Sequence, residues 1–422
     1  MPKVIIQKEK QCDNMKYDVI VIGAGAAGLF AACTIKDKSV LLIDKNSAAG
    51  RKILLSGAGQ CNFTNSCEMS EFLTRYGERG RFLRTALFSF TNKHAVEFFE
   101  KSGVETIVRE DGKVFPASFK SSDIVEALLE KCRKNNVKIL YDESVEKVSR
   151  DEDKDMFLVK TIKTTHAGTN IIIAVGGKSY PNTGSSGDGY EFAKSLGHTI
   201  EQPKPCLAPV YVENYPFREL SGISFESIKI SLWRNNKKIK EFSGDMLFTH
   251  VNISGPVILN NSRYMEKGDV LKINFTSFPN AEEFKTDFEN MIFSSGKYNV
   301  KTVLKSLDMP KRFTDKIMEI TGIQEDKMCS ELDKNKRKKL MEMLCEHSLT
   351  VERLGDYNIA MATRGGVKTS EINQKTMESK IVPGLYFAGE VIDYDGDTGG
   401  FNIQAAFSTG HLSAESIKKN KG

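Results

Sequence analysis

The sequence has one tryptophan, six histidines and eleven prolines in 422 residues. The histidines are scattered singles without H-x-x-x-H or Cys/His spacing, so no metal site is expected. The eight cysteines (Cys12, Cys33, Cys61, Cys67, Cys132, Cys206, Cys329 and Cys345) form no C-x-x-C pair. That pattern excludes a secreted disulfide scaffold and points to free thiols in the cytoplasm. Cys61 and Cys67 are the nearest pair, but no thiol-activating motif accompanies them. No stretch reaches the ~18 apolar residues that span a bilayer. No charge sign dominates: the formal balance is +5 with 27% charged residues, which calls for neither nucleic acid nor a membrane as partner. Repeats and low-complexity tracts are absent as well.

What is present is a nucleotide signature. The β-rich segment Tyr17 to Ile22 runs into Gly23-Ala24-Gly25-Ala26-Ala27-Gly28, a G-x-G-x-x-G. An Ala- and Leu-rich helix follows over Ala26 to Ile35, then a strand, Val40 to Ile43, that ends at Asp44. The glycines interrupt what could pass for a secretory leader over Val19 to Cys33. Gly23 permits the tight turn, Gly25 lets the backbone approach a pyrophosphate, and Gly28 lets helix and strand pack closely. Asp44 lies 21 residues past Gly23, near the ~20 expected of a ribose-binding acid. Its charge disfavours a 2′-phosphate, and hence NADP, in this position.

A second Gly-rich loop, Gly50 to Asn62, begins with Arg51 and Lys52. It suits a cofactor longer than NAD, with cations for phosphate or substrate charge. Two further strand-like runs end in glycine, Asn170 to Gly177 and Gly384 to Gly389. Glu390 follows the second, and a helical run begins near Asn402. A helix N-terminus there is a suitable neighbour for the anionic side of a reduced flavin.

Together these segments resemble FAD-binding flavoproteins of the glutathione-reductase-like superfamily. More narrowly, they resemble the bacterial NAD(P)/FAD-dependent oxidoreductase family that includes aminoacetone oxidases and 3-oxo-bile-acid Δ4-reductases. The motifs are Gly50 to Asn65, Gly112 to Pro116, Gly176 to Gly189, Leu247 to Pro256 and Pro383 to Ala406, within a resemblance covering Lys16 to Leu412. It implies an α/β fold: a Rossmann-like FAD-binding domain interrupted by an inserted β-rich and helical domain. The adenine end of FAD would lie at Gly23 to Gly28 and Asp44, and the flavin near Arg51 to Asn62 and Gly389 to Gln404. The implied contacts are Gly23, Gly25, Ala26, Ala27, Gly28, Asp44 and Lys45; Gly50, Arg51, Lys52, Ser56, Gly57, Gly59, Cys61 and Asn62; the backbone of Val145, with Ala174 and Gly176; and Gly389, Glu390, Gly400, Asn402 and Ile403. Two positions depart from the pattern: Asp44 stands where such enzymes more often have Glu, and Arg364 where a small residue is expected.

The expected organisation is a polar extension (1–14, with Met15 as an alternative start), a split FAD-binding domain (15–203 and 359–422) and an insert (204–358). The insert reads as β-rich over 204–278 and helical over 281–354, and its basic run Lys334 to Lys339 as a solvated helix face. Asp123 reads as the N-cap of a helix extending to Asn135. His250 lies in the Leu247 to Pro256 motif as a candidate substrate contact.

Gly176 to Gly189 does not make a clean second fingerprint. NAD(P)H is therefore expected to act as a transient co-substrate at the flavin, which implies ping-pong kinetics. The family reading is NAD(P)H-driven reduction of an enone-type small molecule, with oxygen-dependent amine oxidation as the alternative. An FAD-dependent tRNA-modifying enzyme and a flavin-free NAD dehydrogenase are rivals from other classes. Tyr394, Asp393, Asp397 and Lys178 are the proton-donor candidates, and none is selected by sequence. Nor does the sequence specify NADH over NADPH or an oligomeric state.

Overall fold

The computed structural model describes residues 16–419; the polar extension and Met15 lie outside the described residues. The chain starts with β1 (Lys16–Ile22), α1 (Ala26–Thr34) and β2 (Val40–Ile43). β2 is buried at all four positions, and β1 is buried except at Lys16 and Asp18. Such runs suit a central parallel strand covered on both faces. Next come α2 (Arg51–Leu55), β3 (Thr64–Asn65), α3 (Met69–Thr74), α4 (Gly80–Ser89) and α5 (Asn92–Lys101). β4 (Thr106–Val108) and β5 (Lys113–Pro116) complete a small antiparallel sheet with β3.

α6 (Ser121–Lys134) begins two residues before Asp123, so Asp123 is a first-turn acid and not the N-cap. Its carboxylate accepts instead from Ser118 Oγ at 2.6 Å. After β6 (Lys138–Leu140), the strands β7 (Val145–Asp151), β8 (Met156–Thr161) and β9 (Thr165–Ile173) form an antiparallel meander. The main sheet has the order β6-β2-β1-β9-β8-β7. α7 (Asp188–Ser195) then precedes β10 (Ile200–Cys206).

The described residues up to Pro205 and those from Met361 onward form one compact unit, and Cys206–Ala360 forms another. In the second unit β11 (Val210–Val212), β12 (Ser224–Arg234), β13 (Lys237–Phe248) and β14 (Ile253–Ser254) precede α8 (Pro256–Asn261) and β15 (Val270–Asn274). β12 and β13 meet at Asn235-Asn236, both with positive φ (51° and 61°). This is the two-residue hairpin turn that asparagine tolerates. Helices α9 (Ala281–Ser294), α10 (Val300–Lys305), α11 (Lys311–Thr321) and α12 (Lys334–Cys345) follow.

Residues 347–354 correct the expectation of a helical second half. They form β16 (His347–Leu354), which pairs with β11 and β15 and closes a barrel. The alternation in His347-Ser348-Leu349-Thr350-Val351 places His347, Leu349 and Val351 inside, a period of two that only a sheet satisfies. Phe217, Phe225, Phe248, Phe275 and Phe313 share the interior, with Phe217 and Phe248 stacked at 4.4 Å.

His347 belongs to that interior: it is 9% exposed, with its ring 5.1 Å from Phe217. Burial pushes its pKa down from 6.5 to about 4. The unfolded chain therefore takes up this proton below pH 6.5, whereas the folded chain does so only near 4. Stability falls as pH drops through that window, by up to about 1.4 kcal/mol per pH unit. Acid titration of urea midpoints, read by the fluorescence of the lone Trp233 on β12, is expected to show this slope. His347→Gln should flatten it.

The chain returns to the first unit with β17 (Ala362–Val367), paired to β10, then β18 (Leu385–Phe387) and the long α13 (Phe401–Lys419). β18 runs parallel to β9, with Leu385 opposite Ile171 and Phe387 opposite Ile173. Since β9 also runs parallel to β1, the ends of all three strands share one edge. Among the described residues no helix is long and apolar enough to cross a membrane.

Candidate functional site: a dinucleotide cradle at one sheet edge

The turn after β1 is tied to the end of β2. Gly23 N donates to Ile43 O at 2.8 Å, and Ala24 N donates to Asp44 Oδ2 at 2.6 Å. Asp44 Oδ1 accepts from the backbone and side-chain nitrogens of Asn46 at 2.8 and 2.9 Å. The half-buried carboxylate thus shapes the turn and keeps acceptor capacity on Oδ2 for a ribose hydroxyl.

The glycines divide by what surrounds them. A Cβ on Gly28 would lie 1.8 Å from Gly23 O, whereas a Cβ on Gly25 would meet nothing within 4 Å. Gly25 is the N-cap of α1, which has neither a side-chain cap nor an acid in its first turn. Ala26 and Ala27 occupy that turn, so its backbone N–H groups face open space beside Gly25. These features fit the pyrophosphate of an FAD. Ala174 continues β9, its N–H bonded to Ile22 O at 2.9 Å, and Gly176 follows with φ of 76°. Val145 opens β7, just after Asp142 and Glu143, whose N–H groups bond the carbonyls of Asn46 and Asp44. The proposed adenine-end residues therefore converge on one edge.

The second loop is a tight left-handed coil. Gly57, Ala58, Gly59 and Cys61 all have positive φ, uncommon for Ala58 and Cys61. Ser56 closes α2 by donating to Ile53 O at 2.6 Å, and Gly50 N bonds Ala24 O at 2.8 Å, fastening this loop to the first. Asn62 donates to Thr64 O at 2.8 Å and accepts from Gly400 N at 3.1 Å. Gly400 has no room for a side chain, because a Cβ would lie 2.4 Å from Thr64 O. Gly400 also precedes α13, accepting from Gln404 N at 3.0 Å, and Ile403 is half-buried in the first turn. Asn402 braces the preceding loop, accepting from Gly396 N at 2.8 Å and donating to Gly396 O at 2.9 Å.

The cations do not stand free as the sequence suggests. Lys45 pairs with Asp188 at 2.6 Å, Lys52 pairs with Glu390 at 2.6 Å, and Arg51 donates to Asn46 Oδ1 at 2.8 Å. Glu390, just past Gly389, also accepts from Thr363 N at 2.6 Å and Ser179 Oγ at 3.0 Å. Thr363 Oγ1 in turn accepts from the N–H groups of Lys178 and Ser179. Lys45 and Lys52 are therefore internal partners. Their acids lie 143 and 338 residues away, beyond any local pattern. Thr363 and Ser179 are missed for the same reason; the only local signal was the neighbouring Arg364, which is exposed.

The loop before α13 is clasped from the segment that links α3 to α4. Arg79 pairs with Asp393, Arg75 O accepts from Asp397 N at 3.0 Å, and Tyr76 donates to Phe401 O at 2.7 Å. Asp393 is nearly buried, and desolvation raises its carboxyl pKa against the opposing pull of Arg79. Tyr394 is 2% exposed and its phenol is pushed upward by burial. Cys61 is buried and burial pushes its thiol up to about 12; Cys67 is half-buried and also raised, chiefly by desolvation. Neither is a reactive thiolate. Iodoacetamide is expected to leave Cys61 unmodified in the native protein, and Cys61→Ser with Cys67→Ser should retain flavin turnover. His250 is exposed on the turn between β13 and β14 of the second unit.

Residues 17–416 match the model of the HI0933-like protein Rossmann domain. The chain belongs to this family. It is 35% identical over 407 residues to a ribosomal RNA dihydrouridine synthase of Haemophilus influenzae, covering 95% of this chain and 98% of the relative. An Escherichia coli protein with the same activity is 31% identical over 405 residues (95% and 98%). A 3-dehydro-bile acid delta(4,6)-reductase of Clostridium scindens is 29% identical over 402 residues (93% and 97%). Among solved structures, the open conformation of a flavocytochrome c3 fumarate reductase superposes with a TM-score of 0.52 at 15% identity, covering 96% of this chain and 78% of the other. The family member described here thus has an FAD-binding Rossmann-like fold and is an FAD-dependent oxidoreductase.

Proposed function

We propose that the protein reduces a carbon–carbon double bond conjugated to a carbonyl, drawing electrons from NAD(P)H, and that the bond is C5=C6 of uracil in ribosomal RNA. The observation that carries this reading is the end-to-end identity with two ribosomal RNA dihydrouridine synthases. The bile-acid relative supports the same bond type. Both names describe hydrogen added across an alkene activated by a conjugated carbonyl: hydride to the β carbon, which is C6 in uracil, and a proton to the α carbon, C5. Bound FAD supplies the hydride-transfer chemistry. The chain's own part is to hold the cofactor between the α1 and α13 N-termini and to fix the loop over residues 393–401 against the segment that links α3 to α4. The small molecule expected from the sequence gives way to RNA in this reading.

NAD(P)H as a transient reductant is supported by the Gly176 to Gly189 stretch, which is packed inward. A Cβ on Gly187 would lie 2.7 Å from Lys178 Cε, and one on Gly189 would lie 2.4 Å from Val175. The test is anaerobic: the bound flavin is reduced with NADH or NADPH, then mixed with protein-free ribosomal RNA, a 3-oxo-Δ4 steroid acid, or oxygen. Flavin reoxidation by RNA, with dihydrouridine found in the nucleoside digest, is the expected result. Reoxidation by the steroid acid alone would assign the enone reading supported by the Clostridium relative. Rapid reoxidation by oxygen alone would point to an oxidase, and intersecting double-reciprocal lines would remove the ping-pong scheme.

A further inference from the structure

We infer that the outward face of α4, with the cleft on its flank, is the surface on which the substrate RNA docks. This rests on the RNA reading above. Arg81, Arg84 and Phe88 are exposed at positions i, i+3 and i+7 of α4, one face of a helix. Phe88 is 49% exposed, and the Arg84 guanidinium lies 5.7 Å from its ring centre. Among the described residues no carboxylate pairs with Arg81 or Arg84, although their neighbours Arg75 and Arg79 are both paired.

Phe82, half-buried on the flank of the same helix, forms one wall of a cleft of about 350 Å³. Asn373, Gln374, Lys375 and Lys380 contribute to the other walls. Gln374 and Lys375 are exposed. Lys380 Nζ donates to Ser370 O at 2.8 Å, which uses one of its three donors. Asn373 Oδ1 accepts from Lys375 N at 3.0 Å.

The chemistry assembled here is that of nucleic acid recognition: unpaired cations for phosphates, aromatic faces for an unstacked base, and side-chain amides for its edge. The basic run in the second unit is a poorer fit. Arg337 lies 3.7 Å from Glu289 and over the Phe293 ring, Lys338 lies 3.7 Å from Glu342, and Lys339 donates to Ile320 O at 2.8 Å. Three of the five cations in that run therefore already have partners. The surface on α4 also adjoins the clasp, since Tyr76 and Arg79 lie directly before this helix.

The test uses the full-length, flavin-loaded protein with two probes, protein-free ribosomal RNA and a short uridine oligonucleotide, followed by fluorescence anisotropy across a salt series. Arg81→Glu with Arg84→Glu is expected to weaken binding at least about tenfold and to flatten the log–log salt slope by about 1 to 2. Phe88→Ala should weaken it several-fold at an unchanged slope. Flavin reduction by NAD(P)H should stay at the wild-type rate in both variants, and the loss in dihydrouridine formation should appear in KM. Lys334→Glu with Lys338→Glu should bind as wild type. If wild type makes dihydrouridine and the α4 double variant still binds RNA normally, the docking surface is wrong while the RNA reading stands. Loss of binding only in the α12 variant moves the surface there and likewise overturns it. If wild type neither binds nor reduces RNA, the reading fails and this inference fails with it.

Discussion

Gly25→Val is expected to yield folded, colourless protein, whereas Gly28→Val is expected to yield little folded protein at all. The two glycines are three residues apart in one motif, yet their surroundings are opposite. A Cβ on Gly28 would press to 1.8 Å from the Gly23 carbonyl, a backbone atom that cannot move aside without breaking the turn. Overpacking of that kind costs about 3 kcal/mol or more, a fall in Tm of roughly 5–10 °C where the protein survives. At Gly25 the added side chain enters open space beside the α1 N-terminus, so the fold loses only the difference between a Gly and a Val N-cap, and the phosphate position is filled. The measurement is the ratio of flavin to protein absorbance, with circular-dichroism melting of the cofactor-free forms. Flavin retained at wild-type stoichiometry in Gly25→Val would remove the first loop as the pyrophosphate site.

The second large effect is expected at Glu390. Its carboxylate joins Lys52 from α2, Ser179 from the loop after β9 and the N–H of Thr363 on β17. Glu390→Ala leaves an ammonium and a backbone donor without their acceptor. The pair keeps some solvent access, at 20% and 29% side-chain exposure, so the cost falls near about 2–3 kcal/mol, below that of a fully buried pair. Glu390→Gln keeps the acceptor for Thr363 and should lose less. Combining Glu390→Gln with Lys52→Gln should cost less than the sum of the single changes, since each single change strands the other partner. Urea midpoints give these values. Additive losses would mean that the two side chains are not coupled.

These two sites show how unevenly the protein could be read from its chain. The cradle around Gly23 to Gly28 was legible because its logic is local: strand, glycine turn, helix and acid follow one another within thirty residues, and backbone sterics fix glycine at positions 23 and 28. The ends of β9 and β18 were legible for a related reason, since short apolar runs ending in glycine mark buried parallel strands. The Glu390 node was not. A carboxylate pairing with a lysine 338 residues earlier leaves no periodic trace. The same holds for the clasp of Asp393 by Arg79, 314 residues earlier. β16 was misread because a strand of eight residues after a charged helix carries a weak local signal, and the need to close a barrel fixed its conformation.

The sequence by itself determined the strand-glycine-helix-acid signature of a dinucleotide site, since each of its parts is local, and its resemblance to flavoproteins pointed to FAD. Its lack of a charge excess suggested no nucleic acid, but net charge averages over the whole surface. The tertiary structure decided which cations are consumed internally, at Lys45 and Lys52, and which are left unpaired on one helix face, at Arg81 and Arg84. That distinction depends on which distant acid each cation meets, and only folding brings them together.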